Sequence, residues 1–367
     1  MALTPARLID ELAQRLPLEK LSLHSLLQEK TVPLHRMSWA YYLGGLVLFF
    51  FAVQLVTGLL LLFYYEPTVS DAHASVEYVT EHVAGGALIR NLHAWSASLM
   101  ILTLALHLVT TFVMKAFVKP RELTWLTGVA LLVITLTFGF TGYLLPWHQI
   151  AVNATKVGLQ SIEEVGAYLP AFMADWPRSL RETIQGEAGI GQATLSRFYS
   201  LHVVVLPLLF LAIVAIHLLG VQLHGISPGT ERPTGRTEKF FPFFLLKDFS
   251  VWGAAFFAVF LLGLCLPFDA FSSYPLLHPF DPLGSTPEGI KPEWYFLFLY
   301  YPLELLPFWV VMLAGGLGFV LLVLTPWVFR GTSRRTLWVL GGALSLYLVV
   351  ITVFGQQIYD LFKGGQG

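Results

Sequence analysis

Charge is what this sequence has least of. Only 12% of its 367 residues are Asp, Glu, Lys or Arg, and 56% are hydrophobic. A soluble globule carries roughly a quarter charged residues, so this balance excludes an ordinary water-soluble domain and favours a chain held in lipid. Cysteine is nearly missing too. The single Cys265 excludes an internal disulfide framework, a Cys-x-x-Cys zinc site and the Cys-x-x-Cys-His attachment of a c-type haem within the chain. Lying in an apolar run, it is expected to be an inert packing residue. The net charge of −1 leaves no basic surplus for nucleic acid, and neither a Walker loop nor a dinucleotide fingerprint occurs. Residues 1–30 lack the continuous apolar core of a signal peptide. Instead Leu8, Ile9, Leu12, Leu16, Leu23, Leu26 and Leu27 alternate with charge, the pattern of an amphipathic helix lying on a membrane surface.

Long apolar runs are what the chain has most of. Crossing a bilayer as a helix takes about 20 apolar residues. Seven stretches qualify: Trp39–Phe63, Leu92–Phe117, Trp125–Leu145, Phe198–Leu223, Val251–Phe268, Leu305–Phe329 and Leu337–Phe354. The predicted fold is therefore an all-α integral membrane protein of seven transmembrane helices. Two connections, Pro146–Arg197 and Asp269–Glu304, are too long for plain linkers, and loops of that length usually carry function. Seven crossings put the N-terminus and the loops after spans two, four and six on one side. That side holds 15 of the 22 Lys and Arg residues and the other side holds 7. The bias predicts a cytoplasmic (n) side for the N-terminus and the opposite (p) side for both long loops.

Four histidines stand out inside these runs. His93 and His107 are 14 residues apart on the second span, and His202 and His217 are 15 apart on the fourth. At about 100° per residue, 14 steps make four turns less about 40° and 15 steps make four turns plus about 60°. Each pair thus lies broadly on one helix face, its members about 21–22 Å apart along the axis. Both spans run in the same direction, so His93 lies level with His202, and His107 with His217. A lone histidine in a membrane helix is commonly a helix–helix hydrogen-bonding residue. Four matched in depth and angle on two helices instead fit two bis-imidazole haems. Gly44 and Gly58 on the first span, and Gly128 and Gly142 on the third, repeat the 14-residue spacing. They supply gaps without a Cβ where flat porphyrins could pass.

Several motifs resemble the cytochrome b subunit of quinol–cytochrome c or plastocyanin reductases, the cytochrome bc family. They are Arg90-Asn-Leu-His93-Ala-Trp-Ser-Ala-Ser98, Lys119-Pro-Arg-Glu-Leu-Thr-Trp-Leu-Thr-Gly128, Gly142-Tyr-Leu-Leu-Pro-Trp147, Arg197-Phe-Tyr-Ser-Leu-His202 and Pro292-Glu-Trp-Tyr295. The resemblance covers nearly the whole chain. It looks like the chloroplast-type four-helix cytochrome fused to the three-helix subunit IV. The organisation expected is 1–225 for the surface helix and four-helix di-haem domain, 226–249 for an n-side linker, and 250–367 for the three-helix part. The segments Arg232-Pro-Thr-Gly-Arg236 and Pro242-Phe-Phe-Leu-Leu-Lys-Asp248 instead resemble the mitochondrial branch. Two departures bear on the sites. Tyr42 stands before Leu43-Gly44-Gly45 where the chloroplast type has a cysteine that attaches a third haem, so no covalent third haem is expected. His148 and Asn153 stand where relatives commonly have Gly or Asp and an aromatic residue.

The resemblance implies roles residue by residue. Two non-covalent b haems would sit between His93/His202 on the p side and His107/His217 on the n side, with Arg90 and Arg121 as partners of their propionates. Glu293 would take a proton from quinol on the p side, with Tyr143 and Tyr295 shaping that pocket. Asp248 would serve an n-side quinone site, helped by His224, although Gln222 occupies the position of the mitochondrial histidine. The implied activity is quinol oxidation with transmembrane electron transfer and proton translocation. The implied partners are a Rieske iron–sulfur protein, a cytochrome c-like subunit and membrane lipid, within a homodimeric complex of a bacterial inner membrane. Two rivals are a di-haem membrane anchor of a hydrogenase or formate dehydrogenase, and a transporter with a histidine proton relay. The Pro292–Tyr295 motif argues against the first, and a visible spectrum would exclude the second.

Overall fold

The computed structural model describes residues 30–229, 235–271, 278–284 and 290–363. The surface helix expected in residues 1–29 lies outside them. Among the described residues seven helices are long and apolar enough to cross a membrane: Ser38–Leu62, Gly86–Val113, Glu122–Leu144, Gln192–His224, Phe240–Cys265, Phe308–Val328 and Arg334–Lys363. All seven expected spans are present, with shifted ends. The fifth begins well before Val251, because Lys247 and Asp248 interrupt its apolar run but not its backbone. An acidic residue in a first helical turn is favoured by the helix dipole.

We label the helical segments α1 (Tyr41–Leu62), α2 (Ala72–His82), α3 (Gly86–Val113), α4 (Glu122–Leu144), α5 (Gln149–Glu164), α6 (Trp176–Gln185), α7 (Gln192–Ser200), α8 (Leu206–His224), α9 (Leu245–Cys265), α10 (Leu297–Leu305), α11 (Phe308–Val328) and α12 (Arg334–Lys363). α1 packs along α3, and α4 along α8, forming the four-helix bundle. α9 leans on α3 and α1, α11 touches α4, and α12 touches α3 and α10. The long loop after α4 folds into α5 and α6, and the one before α11 into α10. A short antiparallel pair, Thr31–Pro33 with Thr237–Lys239, ties the chain start to the linker after α8. Three-residue strands carry too little pattern to be read in advance.

The bundle core is one cluster of Val47, Phe50, Phe51, Met100, Leu104, Leu131, Ile134, Leu206, Phe210 and Val259. Phe51 and Phe210 stack with ring centroids 3.9 Å apart. Many Leu, Val and Phe side chains on the outer faces are exposed, as helices whose other solvent is lipid require. Cys265 is also exposed rather than packed, which corrects the expectation. Apolar surroundings along a membrane helix do not distinguish core from lipid.

A π turn at Leu201–Val205 joins α7 to α8 and contains His202. Pro207 follows; it has no N–H to donate to the carbonyl of Val203. A π turn closes with one residue more than an α turn. It therefore absorbs the fifteenth step between His202 and His217 and brings this pair into phase with the 14-residue pair on α3.

Candidate functional site

Each of the four glycines faces one of the four histidines. A Cβ at Gly58 would lie 3.4 Å from His93 Cε1, one at Gly44 3.1 Å from His107 Cε1, one at Gly128 3.2 Å from His217 Cε1, and one at Gly142 2.6 Å from His202 Cε1. At Gly142 any side chain would strike the imidazole. The glycines thus seat the rings of α3 against α1 and those of α8 against α4.

The His93 and His202 rings lie with centroids 6.4 Å apart. Two imidazoles on opposite faces of one metal, with metal–nitrogen bonds of about 2.0–2.1 Å, put their ring centres about 6 Å apart. His217 is the charged-group neighbour of His107 at the other level. Among the described residues no group of three or more His, Cys, Asp or Glu is placed to hold a metal ion, so each level offers a pair and not a tetrahedral set. His93 Nδ1 meets Thr57 Oγ1 at 2.9 Å, His217 Nδ1 meets Thr127 Oγ1 at 3.1 Å and His202 Nδ1 meets Thr141 Oγ1 at 3.2 Å. A hydrogen bond at Nδ1 fixes the tautomer and leaves Nε2 for a metal. The sequence reading missed these threonines. The available signal was that each immediately precedes a histidine-facing glycine.

A cavity of about 350 Å³ opens beside the His93/His202 pair. Gly58, Gly142, Arg90, Tyr143, His148, Glu293 and Tyr295 all line it. The loop carrying Glu293 comes from beyond α9, so the cavity joins the two halves of the chain. Burial pushes the Glu293 carboxyl up to about 7. Burial, with Glu293 and Tyr143 nearby, raises Tyr295 well above its ordinary range. The Tyr295 hydroxyl lies where a side chain at Gly139 would be, 2.7 Å from that Cβ position. Gly139 is a further position that spacing did not reveal. Trp294 Nε1 donates to Ser98 Oγ at 3.4 Å, anchoring the loop on α3. His148 accepts from the Ala151 N–H at 3.1 Å and caps α5. Burial, with the charges of Arg90 and His73, lowers its pKa to about 3, so it is a neutral wall of the cavity.

The opposite end holds Asp248 and His224. The Asp248 carboxylate lies against Gly45 of α1, 2.6 Å from that Cβ position. Its Oδ1 is buried without a hydrogen-bond partner among the described residues. His224 and Asp248 are not joined by any hydrogen bond. Arg121 Nη2 donates to the His224 carbonyl at 3.0 Å and so caps the end of α8. Gln222 accepts from Lys30 Nζ at 2.5 Å. Tyr42 stacks on Phe244 with centroids 5.0 Å apart.

The fold and these paired imidazoles define a helical integral membrane protein of the electron-carrying kind. The cytochrome b/b6/petB family matches residues 27–225, and the cytochrome b(C-terminal)/b6/petD family matches residues 279–360. The chain belongs to the cytochrome b family, which binds haem b and forms the catalytic core of membrane quinol oxidoreductases. A "cytochrome bc complex cytochrome b subunit" of Chlorobaculum thiosulfatiphilum is 39% identical over 345 residues, 89% of this chain and 76% of the relative. Cytochrome b6 of Rippkaea orientalis is 46% identical over 198 residues, 54% of this chain and 85% of the relative. A chain of a hyperthermophilic respiratory Complex III superposes with a TM-score of 0.78 at 27% identity, covering 95% of this chain and 91% of that one.

Proposed function

We propose that this chain oxidises quinol in the cavity beside His93 and His202 and serves a quinone site at the opposite membrane face. The observation that carries this reading is a single cavity lined by both an imidazole pair and a buried loop carboxyl with a pKa of about 7. Oxidising quinol releases two electrons and two protons, so the site needs a base as well as electron acceptors. Glu293 is that base, poised near neutrality, and Tyr143 and Tyr295 hold the quinol ring edge. Two non-covalent b haems, when bound between His93/His202 and His107/His217, supply the route for one electron across about 21 Å of bilayer. Gly44, Gly58, Gly128 and Gly142 keep the imidazoles seated, and Arg90 lies where it would balance a propionate. Arg121 is committed in part to the His224 carbonyl. Tyr42 offers no thiol, so the chain carries no covalent third haem.

At the other end Asp248 in the first turn of α9, helped by His224 at the end of α8, forms the quinone-reducing site. The Lys and Arg bias makes that end the cytoplasmic (n) side and the cavity the p side, in a bacterial inner membrane. A Rieske iron–sulfur protein takes the second electron and passes it to a cytochrome c-like subunit, within a dimeric complex that moves protons. The chain divides at 1–225, 226–249 and 250–367.

Haem analysis of the purified complex tests the reading. Two b haems are expected on this chain, neither covalent. His93→Ala and His202→Ala should remove one spectral component, and His107→Ala and His217→Ala the other. Loss of the same component in His93→Ala and His107→Ala would overturn the pairing by depth.

A further inference from the structure

We propose that the α1 residue preceding each histidine-facing glycine sets a difference in reduction potential between the two haem positions. Thr57 lowers the potential at His93/His202, and Leu43 leaves that at His107/His217 higher. This inference rests on the two-haem reading above.

The hydroxyl geometry carries it. Thr57 Oγ1 donates to Val53 O at 2.7 Å, Thr127 Oγ1 to Thr124 O at 2.9 Å, and Thr141 Oγ1 to Thr137 O at 2.8 Å. With its hydrogen committed to its own helix, each oxygen can only accept from the imidazole Nδ1–H it meets. Many membrane-helix threonines make the carbonyl bond alone, as Thr135 does to Leu131 O at 2.8 Å. The contact with a ring nitrogen is what separates Thr57, Thr127 and Thr141 from these.

On α4 the arrangement is the same at both levels. Thr141 serves His202 and Thr127 serves His217. On α1 it is not. Thr57 precedes Gly58 and serves His93, whereas Leu43 precedes Gly44 and offers no oxygen to His107. His107 Nδ1 is buried with no hydrogen-bond partner among the described residues. Thr110 and Thr111, on the next turn of the helix, donate to the His107 backbone carbonyl at 3.0 and 2.8 Å.

A hydrogen bond accepted from Nδ1–H raises the basicity of a metal-bound imidazole. A more electron-rich axial ligand favours the oxidised metal and lowers its potential, one of the levers a protein holds over haem. The cavity-side position has this bond on both rings and the far position on one. The difference favours an electron moving away from the Glu293 cavity, the direction the proposed function needs. Thr57 is a positioning residue here, since it touches the ligand and not the metal.

Redox titration of the visible b-haem bands in the whole purified complex tests this. Thr57→Val keeps the branched shape and removes the acceptor. The cavity-side component should become about tenfold easier to reduce, equivalent to about 59 mV for a one-electron couple. Thr57→Ser should restore the wild-type midpoint. Leu43→Thr should shift the other component by a similar factor in the opposite direction, and it decides the matter if Thr57→Val fails to retain its haem. Unmoved midpoints with both haems present would overturn the inference. A wild-type complex without two separate b components would instead overturn the two-haem reading.

Discussion

Replacing Glu293 by Gln separates its chemistry from its packing. Gln is nearly isosteric and still hydrogen-bonds, but it cannot take a proton. Burial raises the wild-type carboxyl from 4.5 to about 7, and each tenfold change in an ionisation constant is about 1.4 kcal/mol. The folded state therefore holds this proton more tightly than the unfolded chain does. Stability is greatest below about pH 4.5 and falls as pH rises to about 7, by up to about 3 kcal/mol, less what remaining solvent contact relieves. The variant never ionises and does not incur that loss. At pH 8 it should denature at a higher temperature than wild type, and the gap should close towards pH 4.5. Its turnover should move the other way. A general base typically contributes about 10²–10⁴-fold, so quinol oxidation should slow by that order, or less where water substitutes. Wild-type oxidation should rise with pH through about 7 as Glu293 ionises, and the variant should lose this limb. Tyr295, raised above its ordinary range, stays neutral throughout. The assay is flash-induced or stopped-flow reduction of the b bands with the opposite quinone site inhibited, alongside reduction of the iron–sulfur partner. Both should slow together, because both electrons leave one quinol. Normal rates with the pH limb intact would show that Glu293 is not the base. Loss of b reduction alone would refute the shared origin of the electrons.

Gly142→Ala places a methyl 2.6 Å from His202 Cε1, whereas Gly58→Ala meets His93 at an ordinary 3.4 Å. Overpacking of the first kind costs about 1–3 kcal/mol, so Gly142→Ala should broaden or remove the cavity-side b spectrum. Gly58→Ala should leave it intact, and equal effects would contradict the seating geometry. Asp248→Asn removes the charge beside Gly45. It should slow reoxidation of the far b component by quinone by about tenfold or more, the scale of a lost charged hydrogen bond. Reduction through the cavity should stay normal, and unchanged reoxidation kinetics would return Asp248 to a role at the start of α9.

The seven spans were legible because lipid imposes a length and a composition on every crossing, and both can be read from one sequence. Their ends were less so. Lys247 and Asp248 break an apolar run without breaking a helix, and the sequence reading began α9 too late for that reason. The histidine spacing placed four rings on two helix faces but left the fourth span out of phase, since an ideal helix has no means of absorbing a fifteenth residue. The π turn at Leu201–Val205 supplies it, and Pro207 was the visible cause. The four glycines were noted for their period alone, and the structure sets each against a particular imidazole. Thr57, Thr127 and Thr141 were missed for a different reason. A Thr-Gly step is common in membrane helices, where small residues serve close packing, and nothing in one helix says which ring a hydroxyl of another will meet. That partner is fixed by how α1 lies on α3 and α4 on α8. The consequence is an asymmetry no periodicity could carry: two glycines 14 residues apart on α1 look equivalent, yet the residue before one of them accepts a hydrogen bond from an imidazole and the residue before the other cannot.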